Sequence, residues 1–262
     1  MARLESPNAR RTPLQRKLDI FYPLDKTEDA AVVSLGSGLK LFPSGTTILE
    51  EGAKLDRVYI VQRGWAMRYK SLENGRRQVL SFVLPGDFIA LEATLFTESD
   101  CSASALTDLE VVEIDPVNLL KVLGQYPQVA LAIAWCAARE QSLISEHFVS
   151  AGRRNAYEAL AHLLVELWRR LQILGINDNH GYHLPVTQAV IADALGLSQV
   201  HVNRTMKRLQ RDNLIEFNTH AVRAIAILDM AGLEAAAGFQ DGYLHFTEMP
   251  FTTRKFLTPN GS

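Results

Sequence analysis

The stretch Val186–Phe217, VTQAVIADALGLSQVHVNRTMKRLQRDNLIEF, constrains this 262-residue chain more than any other. Thr187 stands where a hydroxyl can cap a helix over Ala189–Leu195, in which Val190, Ile191 and Ala194 share an apolar side. Gly196 follows where the backbone must turn, because a residue without Cβ enters the positive-φ region at no steric cost. Ser198 can then cap a second helix, VHVNRTMKRLQRD, whose Val202, Met206 and Leu209 recur at spacings of four and three and form one inward stripe. Small Ala192, Gly196 and Val202 let the two helices cross closely at a steep angle, the arrangement of a helix-turn-helix unit.

The outward face of the second helix carries the chemistry. Gln199, Val200, Asn203, Arg204 and Lys207 project together near its N-terminal half, the part of a recognition helix that enters the major groove. Arg pairs in bidentate fashion with guanine, Asn or Gln with adenine, and Val meets a thymine methyl. Ser198–Arg211 holds four basic residues and no acidic one, a balance suited to phosphate contacts. An ordinary amphipathic helix with a solvated basic face shares that balance, but not the turn glycine, the two caps and the small-residue spacing together. Binding to double-stranded DNA is therefore expected. Downstream, Ile215–Phe217 and Val222–Leu228 read as two strands around Asn218-Thr219-His220, the hairpin of a winged helix. His220 and Arg223 either reach the sugar-phosphate backbone from that wing or belong to a plain surface hairpin.

Hydrophobic content of 47% with 21% charged residues describes a globular protein with room for two domains. A net charge of −2 gives no global pull toward nucleic acid, so DNA affinity must come from a local patch. No run reaches transmembrane length and the N-terminus is polar and basic, so the expectation is a cytoplasmic protein with no membrane partner. Met1–Lys17, with Arg3, Arg10, Arg11, Arg16 and Lys17 and little apolar material, reads as disordered, and Asp19–Gly36 has room for a short helix.

Leu39–Ile114 is a series of short apolar runs broken by glycines: LKLF, TTILEEG, VYIVQRG, WAMRYK, QVLSFVLPGD, SASAL and LEVVEI. Many short strands at close spacing imply a barrel or roll around a pocket. Val129–Phe148 lacks proline and glycine and carries two apolar lines, one through Leu131, Trp135, Ala138, Ser142, Ser145 and Val149, the other through Ile133, Ala137, Ile144 and Phe148. One side can cover the roll; the other meets a copy of itself across a two-fold axis, or packs within the same protomer. Ala151-Gly152 offers a break before an amphipathic Arg154–Leu174, and Asn177–Tyr182 reads as a loop. A short helix over Asp229–Gly238 precedes a tail whose Phe239, Tyr243, Phe246, Phe251 and Phe256 have no place fixed by pattern alone.

With GDFIALEATLF at Gly86–Phe96, CSASAL at Cys101–Leu106 and LGLSQVHVNRTMKRLQRDNLI at Leu195–Ile215, the chain resembles the Crp/Fnr family of bacterial transcription regulators over roughly Leu39–Leu228. The resemblance implies an α+β protein divided into a basic arm and short helix (1–36), a jelly-roll-like cyclic-nucleotide-binding β-roll (37–125), a dimerisation helix (126–150), a winged helix-turn-helix domain (151–238) and a tail (239–262). It implies a homodimer on an inverted-repeat operator, in contact with RNA polymerase. Gln199, Val200, Asn203 and Arg204 then occupy base-reading positions. Thr187, Gln188, Ser198 and His201 occupy backbone-contact positions, with Lys207 and Arg208 as further cations, and Gly86, Leu91, Glu92, Cys101 and Ser102 border the effector pocket.

The departures bear on the effector. Cyclic-AMP-binding members carry a Gly-Glu-Leu turn and an Arg-Ser-Ala run that holds the cyclic phosphate; here these are Ala90-Leu91-Glu92 and Cys101-Ser102-Ala103, with Ala138 where those members place a base-contacting threonine. A buried phosphate without its arginine loses a charge-assisted bidentate partner, so cyclic AMP is not expected to bind. An iron–sulfur cluster needs four thiolates, and the chain has only Cys101 and Cys136. Haem would draw axial ligands from Cys101, His147 and His162, and lone helix histidines are more often structural; no haem, metal or other cofactor is expected. Cys101 is either a redox or electrophile sensor or a small apolar residue. No nucleophile elbow, P-loop, HExxH or dinucleotide fingerprint is present, so the chain is not read as an enzyme. A ligand- or redox-sensing adaptor acting through protein contacts is the competing class, and it would favour a neutral or acidic recognition face. Titration calorimetry with cyclic AMP should show no saturable binding, and the nucleotide should leave operator affinity unchanged. Tight binding with a matching rise in DNA affinity would mean that another cation grips the phosphate.

Overall fold

In the computed structural model, which describes residues 11–36, 38–177, 181–218 and 224–246, the alternating runs after Leu39 form two four-stranded antiparallel sheets. The first is ordered β1 (Leu39–Phe42), β8 (Leu109–Ile114), β3 (Val58–Arg63), β6 (Phe88–Ile89); the second is ordered β2 (Thr47–Leu49), β7 (Ser102–Ala105), β4 (Ala66–Ser71), β5 (Arg77–Val83). Val61, Ala66, Val83, Ala103, Leu109 and Val111 pack between them as the inside of the roll.

Two helices precede the roll, α1 (Pro13–Phe21) and α2 (Lys26–Val33), where one short helix was expected. The disorder expected of Met1–Lys17 does not hold from Arg11 onward; residues 1–10 lie outside the described part. Thr12 starts α1 with a reciprocal capping box, its hydroxyl accepting from the Gln15 amide at 3.2 Å while Gln15 Oε1 accepts from the Thr12 amide at 2.7 Å. Leu14 and Leu18 are buried beneath it. Charge content misleads here because the cations have carboxylate partners: Arg11 pairs with Asp19 and Asp29, and Lys17 with Asp87 at 2.5 Å.

After α3 (Pro116–Gln125), the long helix α4 spans Pro127–Gly152. It runs through the break expected at Ala151-Gly152; the chain turns at Arg153 and Arg154, before Asn155 caps α5 (Ala156–Ile173) by accepting from the Tyr157 and Glu158 amides. α5 is not simply amphipathic. Its leucines are buried, and so are His162, Glu166 and Arg170. Its apolar side joins Trp65, just before β4, and Met67, Val79 and Phe82 of β4 and β5 to the C-terminal helices in a single core. The roll and the C-terminal domain are therefore packed as one body.

That domain consists of α6 (Gln188–Leu195), α7 (Gln199–Arg211), the hairpin β10 (Ile215–Asn218) and β11 (Ala224–Ile227), and α8 (Met230–Ala237). The loop expected over Asn177–Tyr182 contributes instead to β9 (Gly181–His183), which pairs with β11. A Cβ at Gly181 would lie 2.1 Å from the Ile225 carbonyl oxygen, so only glycine permits this pairing. The tail is part of the body as far as Phe246. Phe239 and Tyr243 lie against the His162 ring at 5.0 and 5.6 Å, Leu244 is fully buried, and Arg139 Nε of α4 donates to the Leu244 carbonyl at 2.7 Å. Phe251 and Phe256 lie outside the described residues.

A buried polar cluster joins these elements. Asp87 takes Lys17 through Oδ1 and Arg170 through Oδ2 at 2.8 Å, and Arg170 also donates to the Phe82 carbonyl at 2.7 Å. His147 Nδ1 donates to the Leu80 carbonyl at 3.0 Å while Nε2 lies 3.0 Å from both oxygens of Glu166. A carbonyl only accepts, so the second nitrogen must carry its own proton to bond the carboxylate. Burial pulls the His147 pKa down, but the charge of Glu166 outweighs it and leaves it raised. Burial pushes Glu166 up, and His147 and Arg170 outweigh that and hold it lowered. A raised imidazole contributes stability that is complete below its unfolded pKa of about 6.5 and is lost as pH rises through the folded value. Glu166 contributes stability present above the ordinary carboxylate range and lost in acid. Thermal melts should therefore show a decline on the alkaline side. His147→Gln should remove that step and cost about 3 kcal/mol at neutral pH, because Glu166 stays buried with only the longer contact to Arg170 to balance it. An unchanged alkaline step in the variant would refute the pairing.

Candidate nucleic-acid interface

The two helix starts are capped by the expected residues. Thr187 Oγ1 accepts from the Val190 amide at 3.2 Å, and Ser198 Oγ from the His201 amide at 3.2 Å. Gly196 closes α6 at φ 66°, which aims α7 away from it. Each capping hydroxyl keeps its proton free to donate outward, at a helix end whose backbone N–H groups favour an anion. Thr187 and Ser198 thus keep a donor for an outside acceptor.

α7 buries Val202, Thr205, Met206 and Leu209 and turns Gln199, Val200, Arg204, Lys207 and Arg208 to solvent, with His201 and Asn203 half-buried between the two faces. The structure divides these residues in ways the sequence did not. Asn203 Nδ2 donates to Gln188 Oε1 at 3.0 Å, so an expected base-reading residue and an expected backbone residue hold each other. The Arg208 guanidinium lies 4.3 Å from the Tyr157 ring, and the Tyr157 hydroxyl donates to Asp212 at 2.6 Å. Burial and that bond push the Tyr157 pKa up to about 12. Arg208 is thereby turned toward α5, whereas Arg204 and Lys207 make no ion pair among the described residues. The wing forms as the three-stranded sheet β10-β11-β9, and its tip, with His220 and Arg223, lies outside the described residues.

The expected effector residues do not form one pocket. Gly86 is structural: at φ 82° a Cβ would lie 2.8 Å from the Pro13 carbonyl oxygen, so it lets α1 pass. Ala90 adopts the left-handed conformation at φ 59°, keeping the turn that a glycine would otherwise make. Leu91 faces a cavity described below. Ser102 Oγ accepts from the Glu51 amide at 3.0 Å. Glu92 and Cys101 do come together, around a residue the sequence reading missed. Arg68 of β4 donates through Nη1 to Glu140 of α4 at 2.6 Å and through Nε to Cys101 Sγ at 3.4 Å, with Nη2 3.6 Å from Glu92. Strand alternation carried the signal, since Ala66 faces the inside of the roll and Arg68 follows it by two. Burial raises the Cys101 pKa more than Arg68 lowers it, so the group is a thiol. Glu92, Asp100 and Cys101 offer donor atoms within 4.8 Å of one another, but a metal ion there would face the fixed Arg68 cation. Of the haem-ligand candidates, His147 uses both nitrogens, and His162, its pKa lowered to about 4 mainly by burial, is packed between the tail aromatics with no hydrogen bond to its Nε2 among the described residues.

Comparison with known proteins agrees with this geometry. Residues 39–126 match the cyclic nucleotide-binding domain family and residues 158–236 the Crp-like helix-turn-helix domain family. The nitrogen fixation regulation protein FixK of Bradyrhizobium diazoefficiens is 35% identical over 198 residues, covering 75% of this chain and 80% of that protein. The transcriptional activatory protein AadR of Rhodopseudomonas palustris is 34% identical over 191 residues, covering 72% and 77%. The solved structure of FixK2 from Bradyrhizobium japonicum matches with a TM-score of 0.70 at 28% identity, over 78% of this chain and 98% of that one. The chain belongs to the Crp/Fnr family of transcription regulators. Its roll, long helix and helix-turn-helix domain follow that family's α+β architecture, and no helix among the described residues is long and apolar enough to cross a membrane.

Arg204 and Lys207 should behave differently on DNA. Arg204→Ala should cost on the order of 1–3 kcal/mol in operator binding and relax preference at one position per half-site. Lys207→Ala, one turn farther along, should weaken all sequences alike and lower the salt slope by roughly one per contact. Salt-titrated mobility shifts on matched and scrambled operators separate the two, and equal sequence-blind losses would refute the division.

Proposed function

We propose that the protein is a sequence-specific transcription regulator that binds an inverted-repeat operator as a homodimer and needs no cyclic AMP to do so. The observation that carries the reading is α7 itself, with one face buried and the other offering Gln199, Val200, Arg204 and Lys207 beside two capped helix starts. Regulators of nitrogen fixation among its relatives support a role at promoters.

The dimer rests on α4. Leu131, Ala134, Ala138, Gln141, Ser145 and Phe148 recur at spacings of three and four along its outer side, and Phe148 is 80% exposed. That is the seam of a two-stranded coiled coil, taking Leu131, Ala138 and Ser145 from one apolar line read in the sequence, Phe148 from the other, and Ala134 and Gln141 from neither, with small residues that let a second helix approach closely. Ile133, by contrast, faces inward with the α1 core. Two copies joined on this seam would set two α7 helices on one face of DNA, about one helical turn apart. As for the effector, the Arg68–Glu140 pair already ties the roll to α4 where a ligand would otherwise bridge them.

Genomic footprinting followed by mobility shifts on the recovered sites tests the DNA reading, which fails if no saturable site is found. Ala138→Glu tests the seam. The variant should sediment as a monomer at micromolar concentration and lose operator affinity while keeping its helical content. A variant that stays dimeric would place the interface elsewhere.

A further inference from the structure

The space between the roll, α1, α4 and α5 contains a charge left over. A cavity of about 20 Å³ is lined by Lys17, Asp87, Arg139, Glu140 and Arg170 with apolar Phe88, Leu91 and Leu143, and a second of about 10 Å³ borders the same Lys17, Asp87, Arg139 and Arg170. Every carboxylate facing this space is engaged. Asp87 takes Lys17 and Arg170, and Glu140 takes Arg68 and the Ser81 hydroxyl. Behind them Glu166 takes His147, Arg170 and the Tyr243 hydroxyl.

Arg139 remains. It is 5% exposed, and its Nε donates to the Leu244 carbonyl at 2.7 Å. Its guanidinium lies 4.6 Å from the Phe246 ring and 5.8 Å from the Trp135 ring, and it makes no ion pair among the described residues. A guanidinium has five N–H donors, and one is placed. Burial, and then repulsion from Arg170, lower its pKa to about 10. A buried cation without a counter-ion among the described residues is strongly unfavourable, and Arg139 lines a space large enough for one small occupant.

We propose that this cavity is an anion site, taking a monovalent ion of about the size of a water molecule, chloride in the cell, against the unused donors of Arg139. A monovalent ion is favoured over dianions such as sulfate and phosphate, because Lys17 and Arg170 are already paired and leave Arg139 as the one cation of the lining without an ion pair among the described residues. The apolar walls favour an anion that sheds water easily, so bromide should bind at least as well as chloride. Because the walls belong to the roll, α1, α4 and α5, the ion would brace the junction between the sensor roll and the DNA-binding domain. This site is separate from the Arg68, Glu92 and Cys101 cluster, and it does not depend on the identity of the operator.

The test is thermal melting of the full chain at fixed ionic strength, with gluconate replaced stepwise by chloride or bromide. The wild-type Tm should rise with either halide as mass action requires. Arg139→Met should lose that rise, whatever its own Tm in gluconate, since it also gives up the bond to the Leu244 carbonyl. Sulfate, which stabilises by exclusion from the surface, should raise both proteins alike. A wild-type Tm indifferent to halide would mean that the cavity holds only water and would overturn the proposal. So would a halide response that survives in the variant. Should the variant fail to fold, anomalous scattering from bromide-soaked wild-type crystals decides, a peak beside the Arg139 guanidinium supporting the site and its absence refuting it.

Discussion

The Asp87 carboxylate fixes more of this molecule than any other group. It stands just after β5 and binds Lys17 of α1, Arg170 of α5 and the Leu84 amide of its own turn. A carboxylate buried with two cations holds its pKa far below the ordinary range, burial opposing and the cations prevailing. Removing either cation would leave the carboxylate with one partner in place of two at a largely buried site, which is more costly than losing a surface pair. The three elements are therefore held in register by one side chain. Gly86 makes this possible, because any larger residue beside Asp87 would collide with the start of α1.

Around that polar centre the apolar packing leaves little freedom between sensor and reader. Phe82 and Val79 of the roll belong to the same core as Leu160 and Leu164 of α5 and Val202 and Met206 of α7. Arg77 of β5 also pairs with Asp193 of α6 at 3.0 Å, and Gln78 donates to the Ala194 carbonyl at 3.1 Å. A ligand-driven switch needs two packings of nearly equal free energy and a ligand that prefers one. Here the pairing of Arg68 with Glu140 and the closure of the tail over α4 act on the same arrangement as the shared core. In the proposed function, these features would suit a regulator whose occupancy on DNA follows its abundance.

Local chemistry was legible in the sequence, and distant pairing was not. Thr187, Gly196 and Ser198 announced the helix-turn-helix because caps and turns are set by neighbours within four residues. The strands of the roll were readable for the same reason. The order of the N-terminal segment was missed because it comes from Arg16 on the Leu174 carbonyl and Lys17 on Asp87, separated by 158 and 70 residues. Arg68 was passed over because a charged residue on a strand reads as solvent-facing unless its partner, Glu140, is known. Gly181–His183 pairs only once β11 exists, and the carbonyl of buried Leu244 accepts from Arg139, 105 residues earlier.

The shared core also shifts a burden onto the operator. In the proposed dimer, a reading head locked to its own roll and long helix cannot swing to meet half-sites that are poorly spaced or out of phase. The duplex would have to bend or twist to fit, at a cost that depends on how readily its base steps deform. Base pairs in the spacer, which no side chain touches, would then contribute to discrimination through their stiffness. Flexible pyrimidine–purine steps there would make a site tighter, and rigid tracts would make the same half-sites weaker.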